Sequence, residues 1–135
     1  MSHKLYDNVK VERALDPDVR TAAGTGEKVV DTQGYRDGMM VAVVGDVTDT
    51  GGDAYTLTVM ECDTSTGTFV TTGISIAFEG DGNSNQVEEV RIPDLNVTRK
   101  RFLRVDLAVS ATTTSFEGGA LILLGEGTRG AVNSD

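Results

Sequence analysis

Catalysis or ligand capture needs reactive side chains held together, and this sequence of 135 residues offers few of them. Its one histidine, His3, stands in a polar start that is expected to be mobile. A serine or cysteine nucleophile therefore has no imidazole base to activate it. Its one cysteine, Cys62, falls in LTVMECD at an expected strand end and reads as a small, half-buried apolar residue. One cysteine also allows no intrachain disulfide. Glu79, Asp81, Asn83 and Asn85 alternate like a calcium loop. However, Gln86 stands where that loop needs glycine, and Ile92 where it needs glutamate, so a solvated turn is expected. Asp46, Asp49 and Asp53 make a similar acidic loop. No histidine or cysteine cluster has zinc spacing. Glu88 and Glu89 are adjacent on an expected strand, point to opposite faces and form no acid–base dyad. Gly125, Gly127 and Gly130 match G-x-G-x-x-G, but only five residues follow, and no helix is expected to present its N-terminus to a pyrophosphate. Asn96-Val97-Thr98 fits the glycosylation sequon by chance. The expectation is a protein that is not an enzyme and holds no cofactor and no metal.

The one basic cluster is Arg99, Lys100 and Arg101 with Arg104. By strand parity Phe102, Arg104 and Asp106 share one face, while Leu103, Val105, Leu107 and Val109 share the other. The charged face either pairs with the chain's own acids across strands or meets an acidic patch on a neighbouring subunit. Arg99, Lys100, Arg101 and Arg104 are thus the candidate partner contact.

The elements that would position these residues read as strands throughout. Turn signals recur every 8–12 residues, and no stretch carries the helical i, i+3, i+4 pattern. Residues 1–15 read as an N-terminal arm or first strand, ended by Pro17. Thr21 to Gly26 reads as a loop and Glu27 to Gln33 as a short strand. Met39 to Val44 (MMVAVV) is continuously apolar, which marks a strand covered on both faces or central in a sheet. Asp46 to Asp53 reads as a hairpin loop into Ala54 to Cys62, where Tyr55, Leu57 and Val59 alternate with Thr56 and Thr58. Thr68 to Phe78 is a strand interrupted at Gly73, and Gln86 to Ile92 is a strand exposed on one side. Arg101 to Gly125 reads as a closing hairpin, RFLRVDLAV against ALILLG, with Leu123 taken as a core position. Residues 126–135 read as a polar tail.

The predicted fold is a single all-β domain, an antiparallel sandwich of about eight short strands with extended termini. A jelly roll is the most economical winding; an immunoglobulin-like sandwich lacks its Cys–Trp–Cys core here. A net charge of −9 argues against nucleic acid as a partner, since phosphate would be repelled. No apolar run approaches the ~20 residues of a membrane span, and the polar first ten residues lack the apolar core of a signal peptide. The protein is expected to be made in a cytoplasm and to stay soluble.

Several stretches together resemble small virion structural proteins of tailed phages: NVKVERALDP (Asn8 to Pro17), VVDTQGY (Val29 to Tyr35), TLTVMECDTSTGTF (Thr56 to Phe69), KRFLRV (Lys100 to Val105) and GGALILLG (Gly118 to Gly125). The resemblance spans most of the chain, and none of its motifs is a catalytic signature. It implies a jelly-roll cement or decoration protein on the capsid exterior, binding major capsid protein subunits as a dimer or trimer. Other roles in its range are a head–tail or tail component, or a carbohydrate-binding sandwich on the virion surface. Carbohydrate sites usually present aromatic platforms. With Tyr55 expected to point inward, only Tyr6 and Tyr35 remain for one.

Overall fold

A computed structural model of the protein describes residues 9–48, 54–79, 84–110 and 115–125. Eight strands lie among them: β1 (Val9–Arg20), β2 (Val30–Asp31), β3 (Asp37–Thr48), β4 (Ala54–Cys62), β5 (Val70–Glu79), β6 (Gln86–Ile92), β7 (Phe102–Val109) and β8 (Ser115–Gly125). They form two four-stranded antiparallel sheets, ordered β1-β8-β3-β6 and β2-β7-β4-β5. This is the jelly-roll winding of two interleaved Greek keys.

The two sheets face each other across one apolar core. The alternation along β4 and β7 buries Tyr55, Leu57 and Val59 against Leu103, Val105 and Leu107 from one sheet. Met40, Ala42, Ala120, Ile122 and Leu124 close the core from the other. Tyr55 and Phe78 meet Phe116 across the gap, with ring centroids 5.3 and 6.0 Å apart in tilted geometry.

Two connections differ from the sequence reading. RFLRVDLAV and ALILLG do not pair as a hairpin: β7 lies between β2 and β4, and β8 lies between β1 and β3 in the opposite sheet. β3 and β4 likewise sit in different sheets, so residues 46–53 lead across the sandwich rather than around a hairpin. Only β4 and β5 are consecutive neighbours. Polar turn residues mark where a strand ends, and they do not determine which strand it pairs with next.

Pro17 does not end the first strand. β1 runs through it with register shifts between Arg13 and Leu15 and between Leu15 and Asp18. β1 is an edge strand, where proline's missing N–H costs no ladder bond. The backbone of Pro17 passes so close to Gly119 that a β-carbon there would lie 2.9 Å from its nitrogen. The expected strand at Glu27 to Gln33 contracts to Val30–Asp31, because Gly24 and Gly26 instead follow the edge of β7. Gly73 has φ +83° and sits at a bulge in β5.

Candidate interaction surface

The structure brings the predicted basic cluster together with acids of the same chain. Arg101 holds Asp31 through two hydrogen bonds of 2.8 Å, from Nε to Oδ1 and from a terminal nitrogen to Oδ2. Its guanidinium also lies 4.8 Å from the Phe102 ring centroid. Arg104 holds Asp106, two residues along β7, at 2.8 and 2.9 Å, and stacks 4.5 Å from the centroid of Phe69. Arg99 donates to the Thr72 carbonyl at 3.1 Å and lies 3.6 Å from the buried carboxylate of Glu61. Glu61 also accepts the Lys100 backbone N–H at 2.9 Å, and Lys100 Nζ is 3.6 Å from Asp63. Arg99 and Arg104 are about four-fifths covered, whereas the side chains of Lys100 and Arg101 keep 43% and 42% of their exposure. Lys100 and Arg101 are therefore the more exposed members of the cluster.

The remaining motifs disperse. Cys62 is buried, with Sγ 3.8 Å from Thr64 Oγ1. Asp81 and Asn83 of the calcium-like series lie outside the described residues, as do Asp49, Asp53, Tyr6, His3 and the glycines after Gly125. Asn85 has φ +59° and donates its N–H to the Gly45 carbonyl, which makes it a turn residue. Among the described residues no group of three or more His, Cys, Asp or Glu is placed to hold a metal. No helix among them is long and apolar enough to cross a membrane. Tyr35 packs on the core, and every other described aromatic is buried or half-buried.

A second surface was not anticipated. The outer face of the β2-β7-β4-β5 sheet is polar, carrying Thr56, Thr58, Ser75, Arg104 and Asp106. The outer face of the β1-β8-β3-β6 sheet is apolar along the middle of β8 and β3 and carries charges on its edge strands. Register sets Val11, Leu123, Met39 and Arg91 side by side in one cross-strand row, and Arg13, Leu121, Val41 and Glu89 in the next. Val43 and Val87 follow beside Gly119. Val11, Val43 and Val87 are 57%, 48% and 63% exposed, and Val19 continues the patch at its lower end. Among the described residues, four of the seven large apolar side chains that stand exposed thus share this face. Beside it a shallow cleft of about 430 Å³ is lined by Pro17, Val19, Val43 and two glycines together with the charged Asp18 and Glu117.

The signal for this face was present in the continuous apolar runs MMVAVV and ALILLG. Such runs mark strands covered on both sides. A two-layer sandwich covers only one side of each sheet. The described residues leave Met39, Val41, Val43, Leu121 and Leu123 partly exposed on the outer side. Apolar patches of this kind are common where a protein meets another molecule.

No protein-family model matches the chain. No curated protein matches it significantly in sequence either.

Proposed function

We propose that this chain is a virion structural protein of a tailed phage that decorates and cements the capsid exterior, binding major capsid protein subunits as a homo-oligomer. The observation that carries the reading is the apolar face of β3 and β8 that the described residues leave uncovered, which fits a protein working by contact with other proteins. The resemblance in sequence and the jelly-roll winding support it as well. A cementing protein needs a rigid body and many modest contacts repeated by symmetry. The sandwich is that body, and Lys100 and Arg101, just before β7, offer the charged contact to the shell.

The direct test mixes purified protein with shells of the phage's major capsid protein that lack it, then pellets the shells. Saturable binding is expected, weakened about tenfold by Lys100→Glu, since a rim charge reversed against an acidic patch costs on the order of 1.4 kcal/mol. Protein that stays in the supernatant at every concentration contradicts the proposal.

A further inference from the structure

We infer that the apolar outer face of the β1-β8-β3-β6 sheet is a homodimer interface, on which a second copy of this chain stacks sheet on sheet about a two-fold axis running parallel to the strands. The inference rests on reading this face as a protein contact; it needs neither the capsid nor the phage.

Three features of the face complement each other under that one operation. An axis parallel to the strands between β8 and β3 sets β1 of one copy over β6 of the other and keeps each cross-strand row at its own level. Arg13 and Glu89 stand at opposite ends of the same row, with Leu121 and Val41 between them. Each Arg13 then meets Glu89 of the second copy, twice per dimer, and the leucine and valine meet in the centre. Glu89 is exposed and has no ion pair among the described residues. Arg13 lies 2.6 Å from Asp16 with its side chain 54% exposed, and its five donors leave room for a second carboxylate. One level down, Val43 stands 48% exposed beside Gly119, which has no side chain. The same operation puts Val43 of each copy over Gly119 of the other, a projection into a gap.

An axis running across the strands suits the face less well. Passing through this row, it sets Arg13 against Arg13 and Glu89 against Glu89, a like-charge contact. Passing between this row and the Val11 row, it sets Val43 against Asp37; passing between this row and the Val43 row, it sets Leu123 against Glu117 and Val87 against Glu89.

The size of the face is adequate. Four strands at ~4.8 Å spacing and the nine residues from Asp37 to Gly45 at ~3.3 Å each give about 19 by 30 Å, or roughly 570 Å² before side-chain relief is counted. Stable interfaces use about 600–1,000 Å² per partner, so this face lies just below that range, adequate for a weak and reversible dimer.

Sedimentation equilibrium of the full chain from about 5 to 500 µM tests the inference in a range suited to a small interface. A reversible monomer–dimer equilibrium is expected. Val41→Lys should weaken it at least ~100-fold without lowering the unfolding temperature, because it places a charge at the desolvated centre. Arg13→Glu and Glu89→Arg should each weaken it about fivefold or more, and the double variant should recover to within ~3-fold of the parent. A protein that stays monomeric throughout, or a dimer indifferent to Val41→Lys, overturns the inference. Single charge variants without effect, or a double variant that does not recover, overturn the axis and with it the proposed dimer. If the protein is monomeric and Val41→Lys instead abolishes shell binding, the face belongs to the capsid contact and the dimer is refuted. An intact dimer that ignores shells leaves the dimer standing and sinks only the capsid reading.

Discussion

Arg101 and Asp31 join β7 to the short strand β2 through two hydrogen bonds of 2.8 Å at an exposed sheet edge. The hydrogen bond from Arg101 is the main cause that holds the Asp31 carboxyl below its ordinary value of 3.8; burial opposes it, and the Gln33 N–H adds to it. Glu27 is lowered from 4.5 in the same way, first by its hydrogen bond from Arg20, then by the Asp16 N–H against burial. A carboxyl whose folded pKa is depressed stabilises the fold above its unfolded pKa, and loses that contribution as pH falls through the folded one. The unfolding temperature should therefore drop as pH is lowered from about 5 to about 3. The pairs are partly exposed and screened, so Asp31→Asn and Glu27→Gln should each shrink that drop by only roughly 1–3 °C. Thermal unfolding followed by circular dichroism at several pH values checks this. An unchanged pH profile in the double variant would show the pairs to be decorative.

Gly26 occupies a position where backbone approaches backbone. A β-carbon there would overlap the Val105 carbonyl oxygen, while the Gly26 N–H donates to Asp106 Oδ1 at 3.0 Å. The atoms that a β-carbon would meet, at Val105 and at the Ala14 carbonyl, are all backbone, so Gly26→Ala should cost at least ~2 kcal/mol and lower the unfolding temperature by several degrees. Gly24, two residues away, faces open space, and Gly24→Ala should stay within about 0.5 kcal/mol. Chemical denaturation of the two variants side by side separates a backbone clash from a general dislike of alanine in this segment.

Asn96 belongs to the sequon, yet its side chain is committed to the fold. Its Nδ2, the atom a glycan would take, donates to the Thr32 carbonyl at 2.7 Å and the Tyr35 carbonyl at 3.0 Å. Its φ of +60° also suits asparagine better than most residues. Asn96→Ala loses both the bonds and the conformational tolerance and should cost about 2–3 kcal/mol; Asn96→Gly keeps the tolerance and should cost about half as much. Equal losses for the two would mean that the backbone conformation contributes nothing.

Core and surface separate most sharply in β8. Ile122 is fully buried between the sheets, and Leu123 beside it lies half-buried on the outer face. The sequence reading placed Leu123 in the core, and the structure moves that role to Ile122 and Leu124. Ile122→Asp should leave no soluble folded protein, since an unpaired buried carboxylate costs several kcal/mol. Leu123→Asp should fold, with an unfolding temperature within a few degrees of the parent. Expression followed by size-exclusion chromatography distinguishes them, and a soluble Ile122→Asp would displace the core.

The pattern of what was legible follows from the same strands. Where polar and apolar residues alternate, as in β4 and β7, parity alone places Tyr55, Leu57, Leu103 and Val105 inside. Where the run is continuously apolar, as in β3 and β8, parity is silent, and so Leu123 was misplaced. Strand existence was legible from Thr, Val and the turn residues. Strand pairing was not, because the jelly roll joins β1 to β8 and β3 to β8 across long stretches of chain. The ion pairs of Arg101 and Arg104 were foreseeable only as a class: Asp106 is two residues along the same strand, but Asp31 reaches Arg101 only through the sheet.

The reading of the chain as an abundant shell component is tested most directly by quantitative mass spectrometry of purified particles of the phage that encodes it. The account predicts a copy number comparable to that of the major capsid protein. A handful of copies per particle, or none, would contradict it and point to a connector, a tail part or a role off the virion.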